Sequence, residues 1–272
     1  MSAISTYAPV GHCIYCGSDG GEQGLGDEHI VPFSLGGMLV LPKASCRACE
    51  AITSAFEGRC ARIMYGSFRI REKVQTRRPK ERPTTLPMGA TFGDKAEVYM
   101  MPIEGVIATL PWVHFLPPGY LSEHPDKEIG WTGATLEVRT DAPRKRSLWD
   151  KSNASAFSVS QQFDLDSLAR TLAKIAHALC IGEFGSSFFE PWLPPYILGT
   201  DRALSYLVGG VPGSLEPVSE LHQLRYNAGQ VANGEWLVSA DIRLFAQGGP
   251  HTTVIVGRTT EELVRSRLAE NR

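Results

Sequence analysis

The sequence predicts an α+β protein: a small N-terminal module of two short strands and a helix, followed by a larger α+β region with one long amphipathic helix and antiparallel strands. Three observations predict it. Two Cys-x-x-Cys pairs, Cys13/Cys16 and Cys46/Cys49, bracket the first short apolar runs. Residues 163–185, "FDLDSLARTLAKIAHALCIGEFG", place Phe163, Leu165, Leu168, Leu172, Ile175 and Leu179 at helical spacing. Near the C-terminus "EWLVSADIRLFAQ" and "HTTVIVG" alternate around a "GGP" turn, as paired strands do.

Taken in order, "GDEHIVP" reads as a strand ended by Pro32, and "MLVLPK" as a second. A helix starts near Arg47, carries Ile52, Ala55, Phe56, Cys60 and Ile63 on one face, and stops at Gly66. Residues 75–87, "QTRRPKERPTTLP", read as an extended linker, because proline fixes its own backbone and restricts its predecessor. These readings divide the chain into a module at 7–74, a basic linker at 75–87 and an α+β region at 88–272. The long helix can be capped by Gly182 or Gly185, and "TTEELVRSRLAENR" reads as a closing helix with a threonine cap.

Composition excludes some classes of function. The 272 residues are 43% hydrophobic and 21% charged, ordinary for a globular protein. The N-terminus lacks the basic start and apolar core of a secretory signal. No segment approaches the ~18 apolar residues of a membrane span. The expectation is a cytoplasmic protein without membrane association, in which thiols stay reduced and cysteine pairs bind metal more often than they form disulfides. The net charge of −2 hides an asymmetry: residues 59–82 hold nine basic and two acidic side chains. Such a block suggests a polyanion partner, against the plainer reading of a solvated basic helix and linker.

Four of only six cysteines fall into the two x-x pairs, and that set can hold a tetrahedral Zn²⁺. A redox pair is the rival reading of either motif alone, and His12 is an alternative ligand. Cys60 and Cys180 lie on apolar helix faces and read as buried thiols. The 29 residues between the pairs exceed the ~15–20 of a plain zinc ribbon, so the insertion is itself a structured element.

The order Cys-x-x-Cys, "EHIVP", "LGG", "LPKASC", Cys-x-x-Cys-Glu resembles the HNH endonuclease superfamily, in its zinc-stapled branch. The resemblance runs from Cys13 to about Glu57. It implies a ββα unit holding one divalent metal, with His29 as the general base that activates water and Glu28 as a metal ligand. Glu50 falls on the helix position that is commonly Asn or His in that family. A carboxylate there suits a hard cation such as Mg²⁺ or Mn²⁺. The family's middle polar residue has no clear match in "MLVLPK". Adjacent strand residues face opposite sides, so Glu28 and His29 can serve one phosphate only if the strand bends; a slip of register would hand the ligand role to Asp27.

Within this frame Arg59, Arg62, Arg69, Arg71, Lys73, Arg77 and Arg78, with Lys80 and Arg82, would contact phosphates of DNA, expected to be double-stranded. Glu57 reads as a solvated helix acid in preference to an extra ligand. Arg170, Lys174 and His177 form a polar stripe that reads as a solvated face. The 88–272 region shows no catalytic signature and is left target choice, homo-oligomerisation or partner binding. The expected activity is metal-dependent hydrolysis of DNA phosphodiesters; the alternative is a zinc-stapled nucleic-acid- or protein-binding module whose chemistry has lapsed.

Overall fold

The computed structural model describes residues 5–122, 131–139, 142–211, 216 and 218–270, the side chains of 142–145 apart. Strand β1 (Ser5–Thr6) runs parallel to β3 (Leu39–Cys46), which pairs antiparallel with β2 (Leu25–His29), in the order β1-β3-β2. Helix α1 (Arg47–Arg59) follows β3 directly, with Cys46 as its N-cap residue, so the second cysteine pair straddles the strand–helix junction. The expected ββα order is present. The helix differs in one respect: it does not run unbroken to Gly66. It widens into a π turn over Cys60–Met64, bends at Tyr65, and resumes as α2 (Gly66–Arg71), which Gly66 opens instead of closing. Cys60, Ala61 and Met64 of this wide turn are buried.

Residues 85–158 add a layer of their own. The hairpin β4 (Thr85–Phe92) and β5 (Lys95–Pro102) is followed by β6 (Ala108–Phe115), the short α3 (Gly119–Ser122), β7 (Trp131–Arg139), α4 (Ala142–Ser152) and β8 (Ala156–Ser158). A small core of Met88, Met101 and Val106, with Trp149 and Phe157 packed on it, holds α4 to this hairpin.

The long helix α5 (Leu165–Phe184) is the centre of the molecule. Asp164 caps it by accepting from the Ser167 amide (3.0 Å), and Gly185 ends it at φ +83°. It was expected to be amphipathic. Residues 167–169 and 171–181 are all buried, because α5 packs against α1 on one side and against a sheet on the other. After β9 (Glu190–Pro191) and α6 (Pro194–Leu198), that sheet is formed by β10 (Val208–Gly210), β11 (His222–Gln230), β12 (Trp236–Leu244) and β13 (Thr252–Arg258) in the order β10-β13-β12-β11, with β9 on β13. Helix α7 (Glu261–Glu270) closes the chain, with the Leu263 amide donating to the Thr260 hydroxyl (3.3 Å).

One hydrophobic core contains Ile30, Leu41 and Phe56 of the N-terminal module together with Leu172, Ile175, Val238 and Val254 from beyond residue 88. The segment 75–87 contains a 3-10 turn at Pro79–Glu81 and leads into β4, which begins at Thr85. No helix among the described residues is long and apolar enough to cross a membrane.

Candidate metal and catalytic centre

The first cysteine pair is presented by a turn and the second by the β3–α1 junction. After Cys13 the chain reverses, with the Gly17 amide donating to the Cys13 carbonyl (2.8 Å) at φ +76°, where glycine is unstrained. The Sγ atoms of Cys13, Cys16, Cys46 and Cys49 lie within 4.8 Å of one another, and Cys16 and Cys46 are 3.6 Å apart. Zinc–sulfur bonds of ~2.3 Å in a tetrahedron require sulfurs about 3.8 Å apart, so the four thiolates fit a structural Zn²⁺. His12 is outside this cluster.

Between the knuckles, β2 departs from regular pairing. Gly26 pairs with Ser45 and Glu28 with Leu41, so Asp27 alone stands against Pro42, Lys43 and Ala44; the extra residues bulge from β3, with Lys43 at φ +50°. Asp27 is tied to that bulge: its Oδ1 accepts from the Lys43 amide (3.2 Å). The loop beyond His29 is tight for a steric reason: a Cβ on Gly37 would fall 1.9 Å from the Val31 carbonyl oxygen.

His29 closes β2 opposite Val40 and borders a cavity of about 590 Å³. From β2 and α1 the cavity receives Asp27, Glu28, Glu50, Thr53 and Glu57; from the π turn onward it receives Arg62, Arg69, Arg77, Arg78 and Arg82. Glu50 lies close to β2, its Oε2 3.8 Å from where a Cβ on Gly26 would be. The His29 ring sits 5.4 Å from Phe33, and its Nδ1 is buried without a hydrogen-bond partner. Burial lowers the His29 pKa, and the charges of Lys174 and Arg77 lower it further; Glu28 opposes them. The imidazole is therefore neutral at pH 7, the form that can accept a proton.

The sequence missed one residue of this site. Lys174 of α5 is fully buried; its Nζ lies 2.5 Å from Glu28 Oε1 and 2.8 Å from Glu57 Oε1, and it donates to the His29 carbonyl. Burial would depress this ammonium, but the two carboxylates overrule it and its pKa is raised. Glu57 is correspondingly not a solvated acid. Its burial outweighs the pull of Lys174, Glu28 adds repulsion, and its pKa rises to about 7. Glu28 is engaged by the lysine, so Glu50 and Asp27 are the carboxylates nearer solvent.

The polar stripe on α5 is likewise not solvated. The Arg170 guanidinium stacks 4.5 Å from the Phe56 ring centroid and donates to the Ile197 carbonyl (2.6 Å). His177, held neutral by burial with a pKa near 4, donates from Nε2 to the Ile14 carbonyl inside the first knuckle (2.7 Å). His222 of β11 does the same for the Leu35 carbonyl (2.9 Å). No neighbouring residue in the sequence marks these contacts, because the partners are main-chain carbonyls or distant side chains.

The basic block divides. Arg62, Arg69, Arg77 and Arg78 line the cavity, and Arg59, Arg71 and Lys73 lie off it. Arg59 pairs with Asp164 (2.7 Å) and Arg71 with Glu72 (3.1 Å). Arg69 donates to the Ser34 and Ala61 carbonyls, so it buttresses the loop after β2.

Residues 13–56 match the family model of HNH endonucleases, a segment that includes both knuckles, Glu28, His29 and Glu50 and stops one residue before Glu57. No curated protein and no solved structure matches the chain.

Proposed function

We propose that the protein is a metal-dependent HNH-type endonuclease that hydrolyses phosphodiester bonds in double-stranded DNA. One observation carries the reading: a neutral histidine with an unpartnered Nδ1 borders a cavity that holds carboxylates and arginines together. His29 acts as the general base, taking a proton from the attacking water. Burial and the Lys174 and Arg77 charges keep it unprotonated for that step. Arg77 and Arg78 bind flanking phosphates, and Arg62 completes the cationic side of the cavity.

The donor set suits a hard divalent cation, Mg²⁺ or Mn²⁺, because it consists of carboxylate oxygens. Glu50 and Glu28 would hold it, with Asp27 on the same cavity. Such an ion supplies Lewis-acid stabilisation of charge on the phosphate and the leaving oxygen. Lys174 neutralises part of the Glu28 and Glu57 charge and fixes the backbone that carries His29.

Supercoiled plasmid incubated with the protein and Mg²⁺ or Mn²⁺ tests the reading. Nicking is expected from the wild type and not from His29→Ala, with equal zinc content in both. Equal nicking by His29→Ala overturns the role of the histidine, and no nicking by the wild type overturns the endonuclease assignment.

A further inference from the structure

A second concavity of about 420 Å³ lies apart from the site described above. Its walls carry Tyr120, Trp192, Tyr196 and Tyr206, with Asp201 and Arg258 at the same cavity. The size falls in the range of small-molecule sites, roughly 300–1,000 Å³. The four rings come from separate places in the chain: α3, the residue after β9, α6, and the turn at Leu204–Tyr206. The Tyr120 ring lies 5.4 Å from Trp192 and 5.5 Å from Tyr206, edge-on to the latter. All four are only half-buried.

The rings are held in place by polar contacts around them. The Tyr120 hydroxyl donates to Glu235, which also accepts from Asn233 (3.0 Å) and pairs with Arg258 (3.5 Å). Trp192 is fixed by its amide, which donates to the Val256 carbonyl (2.9 Å). A preset aromatic concavity costs little ordering when a flat ligand enters.

Charge selects among flat or aromatic-seeking ligands. The Arg258 guanidinium already lies over the indole of Trp192, 5.4 Å from the ring centroid. A quaternary ammonium ligand would meet that cation. A neutral heteroaromatic ring would not, and an anionic group on the same ligand would be attracted to it. Asp201 offers a carboxylate acceptor for an exocyclic amine. We propose that this cavity binds the nucleobase of a nucleotide, the ring stacking on Trp192 and its tyrosine neighbours and the phosphate meeting Arg258. The choice of a nucleobase over other flat rings rests on the nucleic-acid reading of the first cavity.

Calorimetry with the His29→Ala protein tests this without any cleavage step, so a failure here is distinct from a failure of the endonuclease reading. The probes are deoxyadenosine monophosphate, thymidine monophosphate, deoxyribose 5-phosphate and tetramethylammonium. Both nucleotides are expected to bind, and the baseless sugar phosphate at least about tenfold more weakly, as base–aromatic stacking requires. Trp192→Leu should weaken nucleotide binding about tenfold; Asp201→Asn, which keeps the oxygen that accepts the Ala203 amide (3.1 Å) and removes the charge, should also weaken it and so serves if Trp192→Leu does not fold. A short single-stranded oligonucleotide that displaces the mononucleotide identifies the base as one from a DNA strand, and displacement by free nucleotides alone identifies a nucleotide ligand. Nucleotides that bind no better than deoxyribose 5-phosphate, or tetramethylammonium that competes with them, would overturn the assignment.

Discussion

Replacing Lys174 by methionine isolates the buried charge that joins α5 to the candidate centre. The substitution keeps most of the side-chain volume and removes the ammonium from between Glu28 and Glu57. Breaking a buried ion pair by deleting one partner costs about 3–5 kcal/mol, because the remaining charge is left uncompensated. Here two carboxylates remain, but protonation can relieve them. Glu57 already titrates near 7 with the lysine present, and without it the pKa must rise further. The penalty should therefore be about 3 kcal/mol or more at pH 8 and should shrink toward pH 5, where Glu57 becomes neutral. The wild type shows the same trend to a smaller extent from Glu57 alone: its folded pKa is raised above the unfolded value near 4.5, so that contribution is favourable at low pH and is lost as pH rises through about 7. Urea denaturation at pH 5 and pH 8, with unchanged m, reads both. A Lys174→Met penalty below about 1 kcal/mol at pH 8, or one equal at the two pH values, would refute the charge argument. The same substitution removes a cation that lowers the His29 pKa and unpairs an anion that raises it. The acidic limb of the nicking rate should then move to higher pH.

Other outcomes follow from single features of the structure. Cys46→Ser should release zinc, measured by a chelating dye, and lower the melting temperature; the loss should extend beyond the module, since His177 ties the first knuckle to α5. Gly37→Ala should destabilise by about 1–3 kcal/mol in chemical denaturation, because its Cβ would sit 1.9 Å from the Val31 oxygen and only backbone movement can relieve that. Arg77→Gln should reduce the slope of log K against log salt for DNA binding by about 0.9, while Lys73→Gln, off the cavity, should leave it unchanged.

The N-terminal module was largely legible because its signals are local. A Cys-x-x-Cys pair needs only a turn, and Gly17 at φ +76° marks one. The helix start at Arg47 depends on neighbouring residues, and the strand expected to run to Pro32 ends three residues earlier, at His29. The strands at 236–258 were legible through their alternation. The π turn was not, since nothing in the spacing of Cys60, Ile63 and Met64 distinguishes it from regular helix.

Residue types and short spacings by themselves determined the four-thiol cluster, the ββα order and the acid–histidine segment on the β2 edge. Tertiary structure alone decided what surrounds that segment. A stripe of Arg170, Lys174 and His177 has the same helical spacing whether it meets water or carboxylates. Its partners lie more than a hundred residues away in Phe56, Glu57, Glu28 and Ile14. Two of the ties, His177 to Ile14 and His222 to Leu35, end on main-chain carbonyls, which every residue type carries. Such acceptors leave no trace in a sequence. The burial that turns a lysine into an internal counter-ion exists only once α5 is packed between α1 and the C-terminal sheet.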